Sequence, residues 1–597
     1  MTEQLAPNWS IGGPLTSSIG ARLKPIIRNI NFTDAVVLLY AMAFVRQYLW
    51  LVSNNTPAWI LTSLVSLVIW YFHLASKPAE AEANRIPRAF WLIVALPVLA
   101  LYSMRVAFPD GSFDQLNYHL LNSERALRGL PFSSRDFFPA PFQLNPAPDM
   151  ITGITRYVLG YRLGTVINCL AIFWAGTVIY KLLGRYIGNS LLRCAGVLLI
   201  ALNEQVLFVI NTYMVDLLAL PLLLEATYLI IRNEREEANS EEAKNKRRLI
   251  RIAVFLGAAT ALKLTNLAFV IPLIGVYAYK SRTAGTIKPA NAGLFILALV
   301  APLVPFSVFM YWQTDSPIFP FYNKTLQSPY WPLMNWVDIR WGPKTLWETL
   351  FWPVVLLFRP QRSTELALHS GRLCVAFIAA ILGLAFRRAE KSTRILSLIV
   401  LCGIALWTVT SGYVRYAMYV ELLGGVVLLR LTYQFWSSST RYGRSAKLVL
   451  VSLVCALLAG QSFLAVRYAS RVEWGMRTTY FYDQTAFLNE SEYLLRDRSF
   501  LNFLAPRERK LLSEVDVWVE SNFITSGLET LSQKNAPIVL VCFPYYFETK
   551  ASLDRFSKAM ADAAGKRVYT LVFARDLNPS LDMLYFRGLE MGKFTPV

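Results

Sequence analysis

Charge is scarce in this chain of 597 residues: 16% are Asp, Glu, Lys or Arg, against about 25% in an average soluble protein. With 55% of residues apolar, that shortage excludes a soluble enzyme and a disordered protein. Cysteine is equally thin. The six (Cys169, Cys194, Cys374, Cys402, Cys455 and Cys542) form no C-x-x-C pair and no zinc spacing, which excludes a disulfide scaffold or zinc module and leaves them as core residues. Neither G-x-x-x-x-G-K-[ST] nor G-x-G-x-x-G occurs, so no nucleotide site is marked. The N-terminus lacks a short apolar stretch closed by a small-residue cleavage site, and the first apolar run is therefore expected to insert uncleaved.

What the chain does contain is apolar runs of membrane length. They predict spans at 34–52, 56–76, 89–107, 163–183, 190–210, 213–231, 249–262, 265–279, 291–312, 372–387, 394–411, 414–434 and 446–466, thirteen in all. Basic clusters sit at alternate connections: Arg22 to Arg28, Lys77 to Arg88, Lys181 to Arg193, Lys244 to Arg248, Lys280 to Lys288, Arg387 to Arg394 and Arg441 to Lys447. All fall on one side if residue 1 is cytoplasmic. The run Leu346–Phe358 is too short to cross, and counting it would put Arg387 to Arg394 outside; it is expected to lie in the outer interface. The stretch Ile250 to Tyr279 is expected to be two short helices meeting near Lys263, since one crossing would invert every later loop.

This topology divides the chain into a cytoplasmic segment 1–33, three spans in 34–107, an outer loop 108–162, and the remaining spans 163–466 with a second outer loop 313–371. An extracytoplasmic tail, 467–597, follows. The internal cytoplasmic loop Arg232–Arg248 is too short for a domain consuming ATP or a nucleotide sugar, so any chemistry is expected outside. The net charge of +20 is then explained by cytoplasmic loop bias and contact with anionic membrane lipid, with no nucleic acid partner. In the tail, Ala536 to Phe543 and Arg567 to Ala574 read as strands flanking a helix over Ser552 to Ala564. That order predicts a parallel pair in a small α/β domain serving as a lid or acceptor-docking unit.

Candidate chemistry gathers at the outer ends of the spans. A helix over Phe113 to Arg128 would bring Asp114, Tyr118, Leu121 and Arg125 to one face, a carboxylate, a phenol and a guanidinium together; otherwise Asp114 caps the helix and Arg125 pairs with Glu124. His119 is adjacent but turned away, and reads as a hydrogen-bonded interfacial residue more readily than as a base or ligand. Asp216 opens a span near the outer surface, as either an N-cap or a ligand. Glu225 lies on the opposite side of that helix, and like Arg46 is read as a buried structural charge. Lys263, Arg415 and Tyr416 fall at the same depth, so two cations and a phenol would face the carboxylates in a phosphate site; single snorkelling residues are the alternative.

Four segments in this order, FDQLNYHL, YMVDLLALPLL, GAATALKLTNLAFVIP and YVRYAMYVELL, resemble the GT-C class of integral-membrane glycosyltransferases. The resemblance is to the bacterial branch containing lipid A aminoarabinose transferases and protein O-mannosyltransferase relatives, over roughly residues 90 to 435. Two additional spans precede Asp114, Gln115 stands where the class has a second acid, and Leu264 follows Lys263 in place of glycine. The resemblance implies inverting transfer of a sugar from a polyprenyl-phosphate donor to a glycolipid, polysaccharide or protein at the bacterial cytoplasmic membrane. It implies that Asp114 serves as base or orienting group, Asp216 orients hydroxyls, Lys263, Arg415 and Arg125 hold the donor phosphate, and Tyr118, His119 and Tyr416 contact substrate. No cofactor is assigned; a divalent cation stays open, although Gln115 weakens a two-carboxylate metal site. A polymerase or ligase of polyprenyl-linked glycans and a transporter or flippase are the competing readings.

Overall fold

The computed structural model describes residues 31–50, 56–75, 85–107, 110, 112, 114–128, 144–184, 186–232, 242–283, 288–336, 340–362, 364, 370–438, 443–470, 506–521, 529, 536–540, 549–572, 577–586 and 589. Each of the thirteen apolar runs is occupied by helix. These are α1 (Phe32–Trp50), α2 (Thr56–Ala75) and α3 (Arg88–Val106, with a π turn at Trp91–Ala95). After the first outer loop come α6 (Val166–Gly184), α7 (Ser190–Ala201) with α8 (Glu204–Val209), α9 (Asp216–Ile231), α10 (Glu242–Leu262), α11 (Leu267–Thr283) and α12 (Pro289–Thr314). The series closes with α14 (Arg372–Ala385), α15 (Lys391–Thr410), α16 (Met418–Ser437) and α17 (Arg444–Ala469). Among the described residues eight helices are long and apolar enough to cross a membrane, and with this composition the chain is a membrane protein.

The bundle is layered by burial. In α6 the apolar window is 83% buried, and in α2 it is 22% buried, so α6 is a central helix while α2 turns most of its surface outward. The central partner of α6 is α9, which packs against both α6 and α10 and buries nearly every residue, including Asp216 and Glu225. Helices that are apolar all round belong in such a position. Close helix approach relies on small residues, as expected where lipid is as apolar as leucine. A methyl group on Gly424 of α16 would collide with Ala376 of α14.

Two breaks interrupt the helices. The run 190–210 breaks at Leu202 and Asn203, where the Asn203 side chain caps α8 by accepting from the backbone of Gln205 and Val206. This is a second interruption besides the one at Lys263, where α10 and α11 are joined by a short 3₁₀ turn, Leu264–Asn266. Cys455 is exposed on α17, contrary to a core position, whereas Cys169, Cys194 and Cys374 are buried, and Cys542 lies outside the described residues.

The first outer loop carries a π turn, Gln115–His119, running into α4 (Leu120–Leu127), and then α5 (Ala147–Leu163). The second carries α13 (Leu346–Phe358), whose Leu346, Trp347, Leu350, Phe351 and Phe358 are exposed while Trp352 is buried. In the tail, α18 (Pro506–Ser513) leads into β1 (Val517–Glu520), followed by β2 (Ile538–Leu540), α19 (Lys550–Asp562), β3 (Val568–Tyr569) and α20 (Leu577–Phe586). The strands are parallel in the order β2-β1-β3. The two expected strands are therefore not neighbours: β1, a four-residue segment too short to stand out by periodicity, lies between them.

Glu520 ends β1 fully buried and is hydrogen-bonded to the buried carboxyl of Glu529. Burial, with Glu520 beside it, pushes the Glu529 carboxyl well above its ordinary value of 4.5. The folded state therefore keeps a proton that the unfolded chain releases, and stability falls as pH rises above that ordinary value. Glu529→Gln, which needs no such proton, is expected to slow hydrogen exchange of Val517 to Glu520 at about pH 7.5 and to change it little at about pH 4.

Candidate functional site

Asp114 has helical backbone angles and leads into the π turn without a side-chain cap hydrogen bond. Its Oδ2 instead accepts from Arg415 Nη2 at 3.2 Å. Asp216 stands at the first position of α9, and it too makes no cap hydrogen bond. Its Oδ1 is bonded by Lys263 Nζ, and its Oδ2 lies 3.7 Å from Arg415 Nε. The Lys263 ammonium also sits 3.8 Å from the ring centre of Tyr416. Four segments far apart in the chain thus meet in a group of two carboxylates and two cations, with no net charge. Asp216 is 9% exposed and Arg415 6% exposed, a degree of burial that charges tolerate only when paired.

The loops around Arg415 explain its placement. Arg415 lies in a 3₁₀ turn, Val414–Ala417, between α15 and α16. Three residues earlier Gly412 has φ +63°, and a side chain there would meet Gly342 Cα at 2.5 Å and Trp352 Nε1 at 3.1 Å. Trp352 of α13 donates to Gly412 O at 3.0 Å, and Trp407 donates to Tyr413 O at 2.9 Å. The Trp341 ring stacks on Tyr413 at 5.3 Å, and Tyr413 and Tyr416 flank the Arg415 guanidinium at 5.1 and 5.6 Å. The second outer loop therefore braces the turn from which Arg415 reaches both carboxylates.

A small cleft opens beside this group. Its lining combines the polar residues Asp216, Lys263, Asn266, Arg415 and Tyr416 with the apolar residues Leu220, Leu223, Phe269 and Met418. Of the residues singled out in the sequence, Asp114, Asp216, Lys263, Arg415 and Tyr416 are brought together. Tyr118 is close behind them; burial first, then the Asp114 carboxylate, raises its phenol well above the ordinary value, keeping it a neutral hydrogen-bonding group. Arg125 is not among the residues lining the cleft, and Glu124 pairs with Arg128 and Arg156. Glu225 pairs with Arg251 at 3.1 Å, and Arg46 lies 5.3 Å over the Trp59 ring.

His119 is buried, and its Nδ1 shares a 2.5 Å hydrogen bond with Asp149 Oδ1, while Asn122 donates to Asp149 Oδ2 at 3.0 Å. Asp149 lies in the first turn of α5, beside Pro146 and Pro148, a signal for a helix start that says nothing of its partner. Among the described residues no group of three or more His, Cys, Asp or Glu is placed to hold a metal ion.

Sequence reasoning also missed Asp110. Its Oδ1 accepts from Ser112 N at 2.9 Å and its Oδ2 from Tyr213 N at 2.7 Å, while its own carbonyl accepts from Tyr161 Oη at 2.5 Å. It thereby ties the loop that leads to Asp114 to the loop that leads to Asp216. Its neighbours Pro109 and Gly111 mark a turn, but the contact with Tyr213 spans 103 positions and leaves no local trace. Asp110→Ala is expected to lose about 1–3 kcal/mol for each buried amide left without an acceptor, read as a lowered unfolding temperature in detergent.

No family model matches the chain, and no curated protein matches its sequence. Among solved structures it is similar to ArnT from Cupriavidus metallidurans in the apo state, with 11% identity and a TM-score of 0.45 over 80% of this chain and 88% of that one. It is similar to the same protein bound to undecaprenyl phosphate, with 11% identity and a TM-score of 0.45 over 79% of this chain and 89% of that one.

Proposed function

We propose that this chain is a glycosyltransferase of the GT-C class that moves a sugar from a polyprenyl-phosphate donor to an extracytoplasmic acceptor with inversion. The observation that carries this reading is the group Asp114, Arg415, Asp216 and Lys263, assembled beside a cleft lined by both polar and apolar residues. A polyprenyl phosphate is likewise amphipathic, an anionic head on an apolar chain, and it reaches such a cleft from the bilayer. In this reading the thirteen helical runs cross the cytoplasmic membrane of a bacterium, with residue 1 inside and the tail outside.

Each residue then has a role that its position supports. Asp114 takes the proton as the acceptor oxygen attacks the anomeric carbon, and the bond from that carbon to the phosphate oxygen breaks. The polyprenyl phosphate leaves with an added negative charge, which Lys263 and Arg415 are placed to stabilise. Both cations are held by carboxylates in the structure, so the phosphate competes with Asp216 for them. Asp216 in turn keeps the pair in place until the donor arrives, and afterwards orients sugar or acceptor hydroxyls. Tyr118 and Tyr416 supply hydrogen bonds, while the acceptor is a glycolipid, a polysaccharide or a protein.

Asp114→Asn retains the shape of the side chain and removes the base. It is expected to reduce transfer by about 10²–10⁴-fold without loss of folded protein, and Lys263→Ala to weaken binding of polyprenyl phosphate. Mass spectrometry of envelope glycolipids and glycans with and without each variant reads the first outcome as one missing sugar. Normal product from Asp114→Asn would overturn the assignment, and a change in glycan chain length in place of one missing sugar would point to a polymerase or ligase.

A further inference from the structure

The tail sheet is covered on its two faces by different parts of the chain. Val517, Val519 and Val539 pack on one face against Phe556 and Ala563, in and just after α19, and against Leu584 of α20. The opposite face presents Trp518 and Ile538, and these cluster with Leu512 and Val515 of the tail and with Leu121 of α4, with Tyr118 alongside. A parallel sheet needs both faces covered. Here part of the second cover comes from the first outer loop, the element that bears Asp114.

Trp518 belongs to that cluster and is fully buried. Its indole Nε1 has no hydrogen-bond partner among the described residues, so the ring acts by its bulk. Leu121 of the same cluster follows closely on a π turn, Gln115–His119, a helix form whose extra residue per turn is seldom stable without support from its surroundings. The tail is held on its other side as well. Ser552 Oγ donates to Tyr330 O at 2.9 Å, Arg555 Nη2 donates to Gln313 O at 2.7 Å, and the Arg555 guanidinium lies 3.9 Å over the Tyr330 ring. The sheet is thus anchored to the second outer loop while it presses on the first.

We propose that Trp518 is a positioning residue for the candidate active site, holding the π turn so that Asp114 and Tyr118 stay against Arg415 and Tyr416. The inference rests on the transferase reading only for its kinetic consequence. The tail then belongs to the machinery of transfer and is more than a lid, although none of its described residues lines the cleft. A shift of about 1 Å at Asp114 is enough for a large loss of rate, while Lys263 and Asp216, held within the bundle, retain the phosphate site.

The test uses the full chain in detergent or nanodiscs with Trp518→Ala, Trp518→Phe and Val515→Ala. With a polyprenyl-phosphate sugar as donor, Trp518→Ala is expected to lower kcat by about tenfold to a hundredfold with KM for the donor within about twofold, and Trp518→Phe to restore most of kcat. Binding of polyprenyl phosphate alone should be unchanged. Hydrogen exchange, which requires no turnover, should accelerate in residues 115–127 of Trp518→Ala and stay unchanged in 418–437. An unaltered kcat, or unaltered exchange in 115–127, would overturn the proposal. If Trp518→Ala loses protection throughout, the milder Val515→Ala decides by the same two readouts. If the wild-type chain transfers no sugar from any polyprenyl donor while exchange in 115–127 still responds, the transferase reading fails and the positioning contact stands.

Discussion

Arg415 is the residue on which the outer half of the molecule depends. A guanidinium buried at the end of an apolar bundle must be neutralised where it lies, and this one is neutralised by carboxylates from two other segments, Asp114 and Asp216. Lys263 then completes the balance at Asp216. Because no member can be buried alone, the four charges act as a lock that sets the first outer loop, α9, the α10–α11 junction and the α15–α16 turn relative to one another. The same balance gives an incoming anion something to exchange with, since each cation already has a carboxylate to release.

Around the lock, the outer loops serve as braces. Trp341, Trp352 and Trp407 hold the Gly412 to Tyr413 backbone by stacking and by indole hydrogen bonds. Asp110 joins the first loop to the segment before Asp216 through backbone amides. His119 and Asp149 fasten the π turn to α5, and Trp518 presses on it from the tail. Aromatic rings do most of this work because at the membrane boundary they can bury a broad apolar face and still offer one polar atom.

Much of this was legible in the residues themselves. The apolar runs became helices at the expected places, and the break at Lys263 was visible because a basic residue interrupts two runs each too short to be one ordinary span. Asp114, Asp216, Lys263, Arg415 and Tyr416 stood out as polar groups at the outer ends of such runs. What could not be read was partnership. Arg125 and Asp114 share a face in a regular helix, but a π turn lies between them; Asp114 pairs with Arg415, and neither residue is among those lining the cleft. The strand Val517–Glu520 is short and buried on both faces, so it shows no alternation of polar and apolar residues.

Composition and the spacing of apolar runs were enough, by themselves, to establish a many-helix membrane protein with most of its charge at the ends of the runs and in the tail. Those features follow from the thickness of a bilayer and the cost of placing charge inside it, which act on each segment separately. Only the tertiary structure decided which charges neutralise which, that Asp114 and Asp216 converge on Arg415, and that the tail sheet takes part of its second cover from the first outer loop. Those features depend on contacts between residues remote in the chain, 301 positions apart for Asp114 and Arg415, and an ion pair or a packed ring leaves no periodic mark on the segments that supply it.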